Sequence, residues 1–387
     1  MAAVLASVAV VVGLLASPAA AVSQLQKLYQ EPGSFEARFP DIVKLDDGRL
    51  MAVWYRATGH TGPDGTVQLS FGAQSGTAWD APHPALAHPA TMAGKDMRDP
   101  KLGKMHDGSV VLTFFVPSDG VYYSVWKPGW TTFTDPVKLP VPAQIQGSAL
   151  AAHGGMLALD DQGGQTSQVL IPVYNNTGAW FIRATWRPVS DPRLLVADAF
   201  QLAATATTPD ANGFYETYTE PSFVQVGGVV IAAVRRELNN NSSTNPISNG
   251  QPVKIMKWNP YTFTGTGSYY DVQWLSGVWA SSHHLLKVSG PSGDRVLFTF
   301  GDKAVTARPT YGVLIQNPLA LWPSTPKKVL IYNSGSSDQA NPSSVETSSG
   351  TYFTLAYNAK PKSTTEGNGM SPNGGSLWVM QSSASEY

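Results

Sequence analysis

The sequence predicts an all-β fold, a six-bladed β-propeller, from three observations. A phrase of turn residues followed by an alternating strand recurs six times, charged residues make up only 14% of the 387, and 36 glycines, 29 prolines and 11 tryptophans are spread along the chain. Short strands joined by tight turns need that composition, whereas long solvent-facing helices would need the charges it lacks.

The first unit sets Asp46-Asp47-Gly48 before a strand over 49–55 and closes at Trp79. The second sets His106-Asp107-Gly108 before 109–115 and closes at Trp130; the third, looser, runs through 170–174 to Trp186. Gly227-Gly228 precedes 229–234 in the fourth, Gly293-Asp294 precedes 295–300 in the fifth with Trp322 behind it, and Ser349-Gly350 precedes 351–357 in the sixth. Units of about 40 to 75 residues match a four-stranded blade, which covers both its faces only by stacking on neighbours around an axis. A β-sandwich would share the short strands but not the repeated phrase. Residues 24–29 are expected to return to the last blade as its outer strand and close the ring, and 239–249 and 363–375 read as long loops.

Ahead of the first unit, Val4 to Leu15 is an apolar run followed by Ala19-Ala20-Ala21, the small residues of an export-signal cleavage site. About a dozen apolar residues are too few to span a bilayer, so the reading is a signal peptide over 1–21, a single propeller domain over 22–387, and a secreted, monomeric product. The chain has no cysteine, so burial and ring closure must hold the fold without disulfides. Net charge is -1 and no Lys/Arg-rich run is present, which argues against nucleic-acid and membrane partners. No cofactor and no metal site is implied: His283 and His284 are adjacent in a strand and would face opposite ways, with no acid at ligand spacing.

Three arginines stand out within this frame. Arg38 opens Arg38-Phe39-Pro40, Arg235 follows Glu220-Pro221-Ser222 by fifteen residues, and Arg308 precedes Trp322 by fourteen. Inner strands of a propeller bring distant positions to one axis, and three crowded guanidiniums call for an anion, best a carboxylate with matching planar acceptors. With Arg56 and Asp99-Pro100 as further pocket positions, and Ser75-Gly76-Thr77-Ala78-Trp79 as an outline of an Asp-box, the chain resembles the sialidase superfamily over nearly its whole mature length. The resemblance implies an arginine triad of Arg38, Arg235 and Arg308 holding the carboxylate of a terminal acidic sugar, and Glu220 as the catalytic glutamate.

The resemblance also implies a tyrosine nucleophile, and here the sequence departs from it. Asn341 stands at that place in the sixth unit, where an amide can orient water or a hydroxyl but cannot attack, and Asn358 replaces a supporting glutamate. The acid/base position falls on His60 or Asp64, depending on where the loop 56–64 is gapped. Histidine needs little tuning near neutral pH, and Pro63-Asp64-Gly65 is also good turn chemistry. Asp96 and Arg98 precede Asp99, with Arg98 expected on the opposite side of an extended strand, where the pair would brace the pocket. Tyr215 and Tyr218 offer a replacement hydroxyl or a sugar platform.

The leading expectation is therefore a secreted glycoside hydrolase of sialidase type, acting on a glycan with an acidic terminal sugar and using Glu220 as a base toward water. The alternatives are a non-catalytic acidic-sugar-binding propeller, a uronate lyase in which His60 or a tyrosine abstracts a proton, and a neutral-sugar exo-glycosidase such as an arabinanase.

Overall fold

The computed structural model describes residues 24–145, 149–161, 164–187, 193–240, 248–265, 268–305, 307–359 and 375–387. The segment read as a signal peptide and most of the two expected long loops lie outside the described residues. Six antiparallel sheets follow one another along the chain and form a six-bladed β-propeller.

Blade 1 is built from Glu36–Lys44, Leu50–Ala57, Thr66–Gly72 and His83–Pro84, in order from the axis outward. Blade 2 repeats the pattern with Arg98–Lys104, Val110–Val116, Gly120–Trp126 and Val137–Lys138. Blade 3 runs Ala151–Ala152, Gly164–Asn175, Gly178–Arg187 and Arg193–Ala204, and blade 4 Tyr215–Val226, Val229–Asn239, Val253–Trp258 and Tyr269–Leu275. Blade 5 comprises Ala280–Val288, Arg295–Asp302, Thr310–Ile315 and Val329–Tyr332. Blade 6 comprises Gln339–Ser348, Thr351–Asn358 and Ser376–Ser383, and Gln24–Gln30 pairs with the last of these to close the ring.

Each repeated phrase of the sequence turns out to be the second strand of its blade. That strand is covered on both faces, as the fully buried Val110–Val116 illustrates, which explains why its apolar run is the strongest signal in every unit. The core lies between blades rather than in one centre. Val53, Leu69, Leu112 and Trp126 pack blade 1 on blade 2, and Val111, Ile171 and Ile182 pack blade 2 on blade 3. Leu50, Val345 and Leu355 seal blade 6 against blade 1. Burying one such side chain contributes about 1.5–3 kcal/mol, so each interface of this size is substantial. Trp130, where the second unit ends, is 43% exposed, and Trp126 fills the core while its Nε1 donates to the Trp130 carbonyl at 2.7 Å.

The innermost strands share a device that the sequence alone does not reveal. Phe39, Asp99, Glu220, Ser282 and Asn341 all have φ between 47° and 51°, and each sits where the register with the second strand slips. Left-handed backbone at non-glycine residues costs roughly 1–3 kcal/mol each and persists only where surrounding packing enforces it. In blade 3 the corresponding place is taken by Gly154, with φ 84°. A Cβ on Gly154 would meet the Pro221 carbonyl oxygen at 2.8 Å. Gly154→Ala is therefore expected to lower stability by roughly 2 kcal/mol or more, from the φ penalty plus the clash. An unchanged urea midpoint would show that the blade 3–blade 4 contact is not fixed by this glycine.

Candidate active site

The bulges decide where chemistry can occur. Proline follows the left-handed residue at Pro40, Pro100, Pro221 and Pro342, where the interrupted ladder asks for no N–H. Each bulge breaks strand alternation and turns its residue into one common cavity of about 230 Å³ at the axis. Phe39, Asp99, Glu220, Ser282 and Asn341 line it, joined by His60, Arg98, Phe115, Tyr174, Arg235 and Arg308, so all six blades contribute. A larger, shallower depression of about 540 Å³ lies around Trp130 and His88 and carries none of these groups.

Of the expected arginine triad, Arg235 and Arg308 reach the cavity and Arg38 does not line it. Arg38 is 5% exposed and is held by Glu36, with Nε to Oε2 at 2.8 Å, and by Asp338. Arg56 also stays outside the lining, donating to Glu31 at 2.9 Å and covering the Phe35 ring. The third arginine in the lining is Arg98. It was expected to point away from Asp99, but the bulge at Asp99 removes the alternation on which that expectation rested. Arg98 lies over the Phe115 ring at 5.6 Å, and its Nε, like that of Arg235, is buried without a hydrogen-bond partner among the described residues. Three arginines and two carboxyl groups, Asp99 and Glu220, thus line the cavity.

The two carboxyls occupy opposite electrostatic situations. Glu220 Oε1 accepts from Arg235 Nη1 at 2.5 Å and Oε2 accepts the Ser282 N–H at 2.8 Å. Burial works against its charge, but Arg235 above all outweighs that and holds the carboxyl well below the usual range. Asp99 is pushed the other way: burial raises its pKa, Lys101 and Arg98 oppose the rise, and Glu220 adds to it. Asn341 lies between, its Oδ1 accepting from buried Lys101 at 2.9 Å and its Nδ2 donating to Asp99 at 3.4 Å. An amide so held is a fixed hydrogen-bonding group.

His60 reaches the cavity, with Nδ1 3.1 Å from Asp338 and its ring edge-on to Phe39 at 5.1 Å. Asp64 stays in the turn, near Thr58 at 3.5 Å, and does not line the cavity. Asp96 accepts the Tyr55 hydroxyl at 2.6 Å and Tyr218 donates to Glu216, and neither these two nor Tyr215 line the cavity. The tyrosine that does line it is Tyr174 of blade 3, whose hydroxyl burial keeps protonated, with Glu220 and Asp99 adding to the effect. Sequence reasoning passed over Tyr174, Ser282 and Asp338 as site residues and set Arg98 on the opposite side of its strand. The recurrent bulge-marking proline is the signal that points to the first-strand positions, whereas nothing in the sequence marks Tyr174.

Beneath the cavity, His283 Nε2 donates to the Ala233 carbonyl at 2.9 Å, and His284 Nδ1 accepts the Ser344 N–H at 3.3 Å. Burial pushes both pKa values down to about 4. Among the described residues no group of three or more His, Asp or Glu comes together to hold a metal. Because the unfolded chain protonates these rings near pH 6.5, the fold has their full contribution above that value and loses it as pH falls toward 4, by roughly 3 kcal/mol per ring. The urea midpoint is expected to fall markedly between pH 7 and pH 4.5; a flat midpoint across this window would contradict neutral, buried rings.

No family model and no curated protein matches this sequence. Solved structures do. A Dyadobacter fermentans protein of unknown function superposes with a TM-score of 0.66 at 15% identity, covering 95% of this chain and 100% of that one. The NanB sialidase of Streptococcus pneumoniae gives 0.60 at 9% identity, covering 94% of this chain and 71% of that one. The Trypanosoma rangeli sialidase gives 0.56 at 11% identity over 92% and 59%.

The fold is sialidase-like. At such identities the likeness concerns the architecture, and the sialidase-like propeller must be read for function from its own cavity.

Proposed function

We propose that this propeller is a glycoside hydrolase that takes the terminal acidic sugar of a glycan into the axial cavity. The observation that carries the reading is the pairing of three cavity arginines with two carboxyls whose proton affinities are driven apart. A cavity of about 230 Å³ lined by so many polar groups suits one sugar ring rather than an apolar ligand. Arg98, Arg235 and Arg308 receive the acidic group. Asp99, whose carboxyl burial makes easier to protonate, gives a proton to the leaving oxygen, and Glu220 provides a fixed negative charge against which the oxocarbenium-like transition state forms. With each Glu220 oxygen already accepting a hydrogen bond, its contribution is charge rather than proton transfer.

The test is a panel of fluorogenic acidic glycosides and uronate polymers with mass-spectrometric identification of products. Wild type is expected to release an intact terminal acidic sugar, and Asp99→Asn to lose about 10²-fold or more in rate. An unsaturated uronate product would make the protein a lyase, and saturable binding without cleavage would make it a lectin-like propeller.

A further inference from the structure

Asp338 lies just before the inner strand of blade 6 and His60 in the loop between the second and third strands of blade 1. Ring closure makes these blades neighbours, so residues 278 positions apart meet with Nδ1 3.1 Å from Oδ2. The carboxylate is unusually well anchored. Arg38 binds Oδ2, the Tyr357 hydroxyl donates to Oδ1 at 2.5 Å, Arg308 Nη2 stands 3.5 Å from Oδ1, and the Asp338 N–H donates to Ser336 Oγ at 3.1 Å. Tyr357 is wholly buried and Arg38 nearly so.

We infer that Asp338 is a positioning residue: it holds the His60 ring by Nδ1 and leaves Nε2 facing the cavity as the group that takes the proton from an attacking water. The chemistry of the contact fixes the tautomer. Burial opposes the charge on Asp338, but the hydrogen bond from His60 and the charge of Arg38 outweigh it, and the carboxyl stays ionised. An ionised carboxylate only accepts, so Nδ1 carries the hydrogen and Nε2 of the neutral ring carries the lone pair. His60 lines the cavity with its side chain 52% exposed, its hydrogen bond is made through Nδ1, and the edge-on Phe39 packs against the ring. The other charged groups around the ring are Asp99 in the cavity wall and Arg38 and Arg308, which reach it through Asp338.

The step rests on the hydrolase reading above and completes it. Water oxygen bonds to the anomeric carbon as the glycosidic bond breaks; the leaving oxygen takes the Asp99 proton, and His60 Nε2 takes the proton from water. After product departure the imidazolium returns a proton to Asp99 through solvent, and no other reactant is needed. Asp338 touches no reacting atom, and its part is to orient the ring.

The tautomer is measurable without a substrate. Nitrogen-15 NMR of the imidazoles, with His60→Gln to assign the signal, is expected to show the Nδ1–H form for His60 in the wild type and the Nε2–H form in Asp338→Ala. Asp338→Asn keeps an acceptor oxygen and the side-chain shape, guarding against loss of the fold, and is expected to retain the Nδ1–H form. On an accepted glycoside, Asp338→Ala should lower kcat by about 10²-fold with KM changed less than about twofold. Wild-type His60 in the Nε2–H form, or an Asp338→Ala enzyme with undiminished kcat, would overturn the inference. If no glycoside is turned over the hydrolase reading fails separately, and the wild-type tautomer still decides the pair.

Discussion

Glu220→Gln is expected to reduce kcat/KM on every accepted acidic glycoside by about 10²- to 10³-fold. The site keeps this carboxylate firmly ionised, held by Arg235 Nη1 at 2.5 Å and the Ser282 N–H at 2.8 Å. Glutamine preserves volume but removes that charge, and its amide must turn an N–H toward either Arg235 or the Ser282 N–H. One hydrogen bond is lost and a donor is set against a donor, at a cost of about 1–3 kcal/mol. The kinetic loss should therefore exceed what the stability loss alone explains. Activity and urea midpoint measured on the same preparation separate the two, and full turnover by the variant would remove Glu220 from the chemistry.

Arg235→Met should have the largest effect on stability. Arg235 Nη1 and Nη2 hold Glu220 and Glu237 at 2.5 and 2.6 Å, with side-chain exposures of 13%, 13% and 12%. Removing the guanidinium leaves Glu220 without its main counter-charge, while Glu237 retains Lys303. Breaking a buried pair of this kind costs about 3–5 kcal/mol, a large share of a total that is typically 5–15 kcal/mol. The double variant in which Glu220 also becomes glutamine should recover part of the loss, since it removes the stranded charge. Additive losses would show that the two residues stabilise the fold independently.

These expectations rest on parts of the molecule that differ in how visible they are from sequence. The blades were legible because the central stretch of each second strand, such as Val110–Val116, is buried between neighbouring blades and reads as an apolar run. Ring closure by Gln24–Gln30 was legible because a propeller without it leaves an open edge. The cavity was legible only in part. Glu220, Arg235 and Arg308, which the resemblance pointed to, line the cavity, but alternation misplaced Arg98, because a residue at φ 48° two positions before buried Lys101 breaks the period of two. Arg38 shows the converse: its position in the chain is right for the axis, yet Glu36 and Asp338 satisfy it internally. Whether an arginine faces a ligand or a neighbouring carboxylate depends on Asp338, some 300 residues away, and no local pattern contains that information.

The central claim is that the axial cavity receives an acidic sugar through its arginines, and calorimetric titration with an acidic monosaccharide tests it most directly. Wild type is expected to bind N-acetylneuraminate or a uronic acid saturably and more weakly as salt is raised, to ignore the matching neutral sugar, and to lose the binding in Arg308→Gln. Equal binding of acidic and neutral sugars, or unchanged affinity in Arg308→Gln, would contradict the account.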